Sequence, residues 1–329
     1  MEFKSRDLIL LTGAGFTKNF GGFLAKEMWH QIFNHQLVQK TPRLRSLLIE
    51  DYDFESVYSR VIDHPTPSVL EKDIMRKVML SVYKKLDDAT RGWVFNQDSP
   101  HPVNWYGVGK LFNLFIGQGD VKGFFFTLNQ DLFMERMSHY RAPGAPPFHH
   151  EFYTLPRVEL KEDEFVTLQR EGVIAQAEQD VHNHQGLVYI KLHGSYGWKA
   201  SDGSDRMVIG KDKTHLIDEE PLLRWYFDLF RSVIAQGNKK LLIIGYGFGD
   251  HHINKVLLEG VQKHNLRVFI ISTQDPTDLR EHFELRGYYY ALSILDGLGG
   301  YHPYRLQEMF PADQSTTVYF TDLEASLLR

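Results

Sequence analysis

The stretch GLVYIKLHG, Gly186–Gly194, is a short apolar run that ends with a histidine followed by a glycine. Four further runs share this layout, in which β-branched or aromatic residues lead into glycine or polar residues. They are DLILLTGAG (Asp7–Gly15), GFFFTLNQD (Gly123–Asp131), KLLIIGYGFGD (Lys240–Asp250) and RVFIISTQD (Arg267–Asp275). Runs that are apolar on both faces suit central strands of a parallel sheet covered by helices on both sides. The five runs therefore predict strands whose unusual residues lie at the carboxyl end.

Helical patterns lie between these predicted strands. Apolar residues recur at helical spacing over Leu24–Leu37 and over Val69–Leu86. Trp105–Phe115 and Pro221–Ile234 are also typical of helices, the second with a proline at a suitable first position. Strands that alternate with helices indicate an α/β fold with a Rossmann-like open, mainly parallel sheet.

We interpret residues 1–329 as a single domain with two additions. Residues 21–116 contain several helical patterns and no convincing strand, which predicts a helical insertion at about residues 24–118. The stretch from about residue 141 to residue 185 begins with the proline-rich RAPGAPPFHHEF, and it predicts a loop with a variable, small second lobe.

The composition argues against several classes of protein. A formal net charge of −5 gives no strong indication of direct nucleic-acid binding. No apolar run approaches the roughly 20 residues of a membrane-spanning helix, and the N-terminus lacks the features of a secretion signal. We therefore expect a soluble, cytoplasmic protein. The chain has no cysteine, which excludes disulfides, thiol catalysis and cysteine-based zinc sites.

The first predicted strand runs into a glycine turn, in LLTGAGFTKNFG (Leu10–Gly21). In an open α/β sheet, ligands bind outside the carboxyl ends of the strands. Gly13 and Gly15 permit close backbone approach, and the turn should expose amide groups to a phosphate. The third glycine of the full dinucleotide fingerprint is missing, so a plain tight turn explains this stretch equally well.

The second predicted strand ends in FFFTLNQDLF, with Thr127, Asn129 and Asp131 at alternate positions. An extended chain would place these three side chains on one side. The amide and the carboxylate could hold ribose hydroxyls, a nicotinamide carboxamide or a water molecule. Alternatively, Asp131 forms an Asx turn or caps the helix that follows.

IIGYGFGDHHIN, Ile243–Asn254, is another strand, glycine turn and helix. Asp250 is well placed to cap the helix, a structural role that we favour over catalysis. Three histidine pairs could suggest a metal: His149–His150, His182 with His184, and His251–His252. Adjacent histidines point in different directions, and no i, i+4 histidine pair with a carboxylate accompanies them. We therefore expect these histidines to lie at the surface or to support other site residues, and we expect no metal site.

Taken together and in this order, GAGFT, TLNQD, KLHGS and GYGFGD resemble the landmarks of the sirtuin-like NAD-binding domain. The resemblance extends from about Gly13 to Asp275. GYGFGDHHIN and the early DYDFESVYSRV are similar to the divergent bacterial branch that is associated with antiphage defence. The resemblance implies NAD+ as the bound dinucleotide, with Asn129 and His193 as catalytic residues. The cofactor-binding residues that it implies are Gly13, Ala14, Gly15, Phe16, Asp131, Gly245, Tyr246 and Gly247.

Two features of the deacylating sirtuins are missing. Those enzymes follow the glycine loop with a Pro-Asp-Phe-Arg segment, where this chain has NFGGFLAKEMW. They also carry a four-cysteine zinc module, which this chain lacks. Loss of both removes much of what recognises an acylated peptide, so the resemblance implies an NAD+ glycohydrolase that transfers the ribosyl group to water. An NAD-dependent protein deacylase and a non-catalytic NAD or ADP-ribose sensor remain alternatives.

An enzyme that depletes NAD+ must be silent in healthy cells, so we expect control by assembly, by a ligand or by a partner. The aromatic-rich segments Trp29–Phe33 and Trp105–Phe115 suggest a homo-oligomer, although ordinary core packing explains them at least as well. The family resemblance points to a second defence protein, such as a HerA-type ATPase or a short Argonaute.

Overall fold

A computed structural model of the chain describes residues 3–95, 102–139, 152–154, 166–168, 172–184, 186–200 and 203–329. Within these ranges the strands are β1 (Lys4–Thr12), β2 (Val121–Thr127), β3 (Phe152–Thr154), β4 (Val166–Leu168), β5 (Leu187–Lys191), β6 (Gly194–Ala200), β7 (Asp205–Met207), β8 (Lys240–Ile244), β9 (Arg267–Ile271) and β10 (Leu298–His302).

The helices in the first half of the chain are α1 (Ala14–Lys18), α2 (Ala25–Phe33), α3 (Gln36–Gln39), α4 (Pro42–Glu50), α5 (Phe54–Ile62), α6 (Val69–Phe95), α7 (Trp105–Asn113) and α8 (Phe133–His139). Those in the second half are α9 (Val173–Asn183), α10 (Lys213–Glu219), α11 (Pro221–Ala235), α12 (His251–Lys263), α13 (Pro276–Arg286), α14 (Tyr289–Ile294), α15 (Leu306–Met309) and α16 (Val318–Leu328). None of the helices described is long and apolar enough to cross a membrane.

In the part of the chain that the structure describes, the main sheet has seven strands in the order β10-β9-β8-β1-β2-β5-β3, and every pair in it is parallel. The predicted Rossmann-like α/β fold is therefore confirmed. The central strand β1 has β2 on one side and β8 on the other, although β8 comes far later in the chain. The carboxyl end of β1 is thus a topological switch point, the position at which open α/β sheets bind their ligands.

Both faces of the sheet are buried, as the doubly apolar strands predict. Ile9 and Leu11 of β1 belong to a core that contains residues of α11 and α12. Leu8 and Leu10, which point the other way, belong to a second core that contains residues of α7 and α16. Alternate residues of one strand therefore anchor the helices on opposite faces.

The region predicted as a helical insertion divides between two cores. Helices α2 to α6 form a separate apolar cluster, which includes Ile32, Val57 and Val78. Helix α7 instead places Leu111 and Phe112 in the core that covers one face of the main sheet. The helical pattern alone does not reveal this division, because both groups of helices carry an apolar stripe.

Several predicted boundaries are wrong. The predicted helix Leu24–Leu37 breaks between α2 and α3, where the His35 side chain accepts a hydrogen bond from the amide of Leu37. Helix α6 continues to Phe95 rather than ending at Leu86. Strand β10 escapes sequence analysis because its LGGYH contains two glycines. Both glycines pack closely against the ring of Phe269, which leaves no room for a side chain.

The predicted second lobe is described only in part. Within residues 141–185, strand β3 pairs with β5 at the edge of the main sheet, and α9 contributes Ala177 and Val181 to the core beside α11. Strand β4 belongs to a small sheet of order β4-β6-β7. The predicted pair His149–His150 lies outside the described residues.

Candidate active site

The carboxyl ends of the central strands are level with one another. Thr12 at the end of β1 pairs with Thr127 of β2 and with Ile244 of β8, and Thr127 pairs with Lys191 of β5. The loops that follow these four strands therefore leave the sheet side by side. These loops, together with α1, which begins directly after Gly13, carry all of the residues that the sequence predicts for the site.

The loops after β1 and β8 pack backbone against backbone. A side chain at Gly13 would approach the Gly245 carbonyl oxygen to 2.8 Å, and one at Gly15 would approach the Gly245 Cα atom to 2.7 Å. Gly245 itself has a φ of 65°, a conformation that favours glycine. Close packing of two loops thus explains why glycine is needed at all three positions.

This packing changes the predicted role of the glycine turn. The amides of Gly13 and Gly15 donate to the carbonyl oxygens of Ile244 (3.0 Å) and Gly245 (2.9 Å), and the Phe16 amide donates to Gly13. These three amides therefore already have acceptors inside the protein, and a phosphate contact of this turn stays a prediction. The Phe16 side chain is also fully buried and contacts the ring of Phe20, so its side chain packs in the core.

Of the remaining predicted cofactor-binding residues in these loops, Ala14 and Gly247 are exposed. A Cβ atom at Gly247 would meet no atom of the described residues within 4 Å. Tyr246 is buried, and its hydroxyl donates to the Asn254 side chain at 2.9 Å and accepts from the Asp250 amide at 3.1 Å. Tyr246 therefore holds the β8 loop in shape.

Asn129 is buried beneath the β1 loop. Its side-chain nitrogen lies 3.0 Å from the carbonyl oxygen of Gly13 and 3.4 Å from the Thr17 hydroxyl. This contact joins the ends of β1 and β2 and leaves the amide oxygen as the group of Asn129 that can address a ligand. Thr17 belongs to the quoted GAGFT motif, but sequence analysis assigns it no role.

Asp131 is 3% exposed, and internal groups surround its carboxylate. It accepts hydrogen bonds from the Phe133 amide at 3.0 Å and from the Thr17 hydroxyl. The first contact is the Asx turn that sequence analysis offered as the alternative role. Burial raises the pKa of Asp131, while the nearby Lys191 opposes this effect. Lys191 also forms a buried ion pair with Glu135 at 2.6 Å.

His193 follows β5 and is 3% exposed. Its Nε2 atom lies 2.9 Å from Nε2 of His252, a residue of α12 that is 8% exposed. Burial lowers the pKa of His193 well below its usual value and lowers that of His252 to about 4. Both rings are therefore neutral at pH 7, and a hydrogen bond between the two facing nitrogens requires a proton on one of them.

Asp250 is at the N-cap position of α12, as predicted, but its side chain makes no capping hydrogen bond. The carboxylate instead pairs with Lys213 at 2.7 Å, and Lys213 also pairs with Glu55 of α5 at 2.8 Å. Burial alone would raise the pKa of Asp250, but Lys213 and the two histidines lower it well below its usual range. An ionised carboxylate is thus held beside His193 and His252.

His193, Asp250 and His252 could in principle hold a metal ion, since one ligand atom of each lies within 4.8 Å of the others. The two rings, however, face each other: their centres are 5.1 Å apart and the nitrogens are 2.9 Å apart. This is close to the separation expected when both nitrogens lie on the line between the ring centres. Such lone pairs point at each other rather than at a common ion, so the geometry is that of a hydrogen bond.

A sequence model of the SIR2-like domain matches residues 123–291, just over half of the chain. The protein belongs to the SIR2-like domain family. Families of this kind are NAD-dependent enzymes, and the match includes the segments of this SIR2-like domain that carry Asn129, His193 and His252. No curated protein matches the chain.

Two residues that organise the site of this SIR2-like domain, Lys213 and Gln130, were not predicted from the sequence, and His252 was not distinguished there from its neighbour His251. Lys213 has no local motif and is found only through its ion pairs with Asp250 and Glu55. The amide of Gln130 donates to the carbonyl oxygens of His193 (3.0 Å) and Val208 (2.8 Å), because its side chain points away from that of Asn129. His252 was detectable, since it shares a helix face with the buried Val256 at i+4, whereas its neighbour His251 is exposed.

Proposed function

We propose that this SIR2-like domain is an NAD+ glycohydrolase, which cleaves the bond between nicotinamide and ribose to give nicotinamide and ADP-ribose. The main support is the position of Asn129 and His193. Each lies two residues beyond the paired Thr127 and Lys191, at the end of adjacent strands and next to the switch point of the sheet. A carboxamide and a neutral imidazole at that position suit a reaction of a bound dinucleotide with water.

The proposed chemistry follows from these two side chains. Cleavage of the glycosidic bond develops oxocarbenium-like positive charge on the ribose, as in glycoside hydrolysis. Asn129 has no useful acidity, so its amide oxygen positions the attacking water or the nicotinamide carboxamide. His193, which is neutral at pH 7, accepts a proton from that water or from a ribose hydroxyl. Asp131 fixes Thr17 and the β1 loop around the cofactor.

Water is the preferred acceptor because the chain has no cysteine and so lacks the zinc module that shapes the acyl-lysine cleft of deacylating sirtuins. The same proposal includes a role in bacterial antiphage defence. The segment DYDFESVYSRV, which resembles that branch, contains Glu55, and Glu55 is joined through Lys213 to the loop that carries Asp250. A controlling partner, such as a HerA-type ATPase or a short Argonaute, is part of this proposal.

The test is to incubate the purified protein with NAD+, with and without an acyl-lysine peptide, and to quantify nicotinamide by chromatography. Nicotinamide release without peptide supports the glycohydrolase. Release that requires the peptide would instead identify a deacylase, and NAD+ binding without turnover would identify a sensor. A His193→Ala protein purified in the same way controls for contaminating hydrolases.

A further inference from the structure

We infer that His252 is a positioning residue for His193: it accepts a hydrogen bond from Nε2 of His193, which leaves Nδ1 of His193 as the proton-accepting atom. This inference rests on the proposed function, because it specifies which atom acts as the base. It begins from the 2.9 Å contact between the two Nε2 atoms. The family match assigns no role to His252, and the sequence pattern leaves it among histidines that lie at the surface or support other site residues.

The head-to-head contact allows only two arrangements of a single proton. If His252 donated, the Nε2 lone pair of His193 would accept that hydrogen bond, and neutral His193 would carry its own proton on Nδ1. Neither ring nitrogen of His193 could then accept a proton from water. If His193 donates, its proton is on Nε2 and the Nδ1 lone pair is available. A base at position 193 is therefore compatible with one arrangement alone, in which His252 is the acceptor.

The surroundings of the pair favour the charge that this arrangement produces. When a water molecule attacks the ribose carbon, its O–H bond breaks and the proton binds Nδ1 of His193 while the glycosidic electron pair leaves with nicotinamide. His193 then carries a positive charge. The ionised Asp250 lies beside both rings and attracts that charge, and Lys213 keeps Asp250 ionised. The His252 lone pair continues to accept from Nε2 throughout the step.

If His252 only packed against its neighbours, the effect of substitution would be different. The His252 ring also packs against the ring of Phe227, with 5.7 Å between the ring centres, so an apolar residue of similar size would preserve much of the packing. The neighbouring His251 is exposed and contacts Tyr290 instead, at 4.6 Å between ring centres. His251 therefore provides a matched control on the same turn of α12.

The kinetic test compares His252→Leu, His252→Gln and His251→Ala with the wild type. His252→Leu removes the acceptor, and we expect kcat to fall about 10- to 100-fold with little change in KM, as for other groups that orient a functional imidazole. The acid limb of the pH profile should move to lower pH, since protonated His193 loses a hydrogen-bond acceptor. Asp250 and Lys213 face both rings, and His251 lies beside His252; all three stay unchanged in this variant.

His252→Gln retains an acceptor oxygen and should recover a large part of the lost turnover, whereas His251→Ala should match the wild type. Equal losses in the Leu and Gln variants, in proportion to their fall in melting temperature, would reduce His252 to a packing residue and overturn the inference.

Nitrogen-15 NMR of the histidine rings provides a readout that does not need turnover. We expect a protonated Nε2 and an unprotonated Nδ1 for His193 in the wild-type protein. The opposite tautomer would overturn the inference even if the enzyme hydrolyses NAD+. If the wild type releases no nicotinamide, the proposed function fails, and the spectrum still decides which histidine donates.

Discussion

His193 and Asn129 are buried polar residues that already have partners inside the protein. Asn129 donates to the Gly13 carbonyl oxygen, and His193 faces His252. A buried donor or acceptor left without a partner costs about 1–3 kcal/mol of stability. Substitution at either residue therefore affects the fold as well as the chemistry, and the two effects must be measured together.

We expect His193→Ala and Asn129→Ala each to reduce nicotinamide release by about 10²- to 10⁴-fold, because a positioned base or a positioned water contributes that much to the rate. NAD+ binding should remain measurable in both. The double variant should be little worse than the poorer single one, since two groups that act on one step are not additive.

Melting temperature, NAD+ affinity and nicotinamide release of the three variants constitute the measurement. A folded His193→Ala protein that binds NAD+ and retains near-normal turnover would remove His193 from the mechanism. A loss of activity that merely follows the unfolded fraction would assign both residues to stability alone.

Gly245 gives a second prediction about a single residue. A Cβ atom there would clash with the Phe16 amide nitrogen, and the φ of 65° is unfavourable for other residues. We expect Gly245→Ala to lower the free energy of unfolding by more than about 3 kcal/mol, since strain and a backbone clash combine. Gly247→Ala, which meets open space two residues later, should change it by less than about 0.5 kcal/mol. Chemical denaturation of both variants tests this, and equal effects would contradict it.

At the scale of secondary-structure elements, Lys213 joins three parts of the molecule. It begins α10 and forms ion pairs with Asp250, at the start of α12, and with Glu55 of α5. Burial alone would lower the pKa of Lys213, but these two carboxylates raise it overall. Its contribution to stability is therefore complete below the usual lysine pKa and is lost only as the pH rises through the raised value.

We expect Lys213→Met to lower the free energy of unfolding by about 3 kcal/mol at pH 7.5, because it leaves two largely buried carboxylates without a cation. In the wild type, Asp250 has a lowered pKa and so adds stability above the pKa of the unfolded carboxyl. In the variant, burial raises that pKa instead, so the penalty increases with pH. The deficit should thus be smaller at pH 5 than at pH 7.5.

Lys211→Met is the matched control, because Lys211 forms an exposed ion pair with Asp53 of the same region. Its loss should cost less than about 1 kcal/mol and depend little on pH. Denaturation curves of both variants at the two pH values are the measurement. A Lys213→Met deficit that is no larger than that of the control, or that increases towards pH 5, would contradict the role of the buried network.

Elements were predictable from the sequence where local pattern and tertiary packing agree. The five apolar runs predict β1, β2, β5, β8 and β9. A strand that is buried on both faces is apolar along its whole length, so its own residues are enough to recognise it. Strand β10 was missed because Gly299 and Gly300 weaken the strand pattern, and only the ring of Phe269 explains them. For the site, strand ends locate Asn129 and His193, but contacts between distant segments such as Lys213 with Asp250 have no local signature.

At the scale of the whole molecule, the first prediction concerns metals. His193 and His252 hydrogen-bond to each other rather than converge on an ion. We therefore expect extensive dialysis against a chelator to leave NAD+ cleavage unchanged. Activity and bound metal should be measured on the same sample. Complete loss of cleavage that a divalent cation restores would refute the metal-free mechanism.

The second prediction concerns assembly. The aromatic segment Trp105–Phe115 offers it no support, because Phe112 and Phe115 are fully buried in the sheet core and Trp105 contacts Phe20 and Phe133. We still propose a homo-oligomer that is controlled by a second protein, because an enzyme that depletes NAD+ must be kept inactive in healthy cells. Light scattering during turnover should show a mass above that of one chain; an active monomer would reject the proposal.

The backbone contact between the β1 and β8 loops also bears on when the protein becomes active during its synthesis. The Gly13 amide reaches the carbonyl oxygen of Ile244, which the ribosome adds more than two hundred residues later. Until β8 has left the exit tunnel, β1 lacks one of its two neighbours and the glycine loop lacks the surface that shapes it. Contacts of such long sequence separation form late in folding. Under the proposed function, a nascent chain would therefore leave the NAD+ of its host untouched until β8 has been synthesised and released, which would give the proposed controlling partner time to bind first.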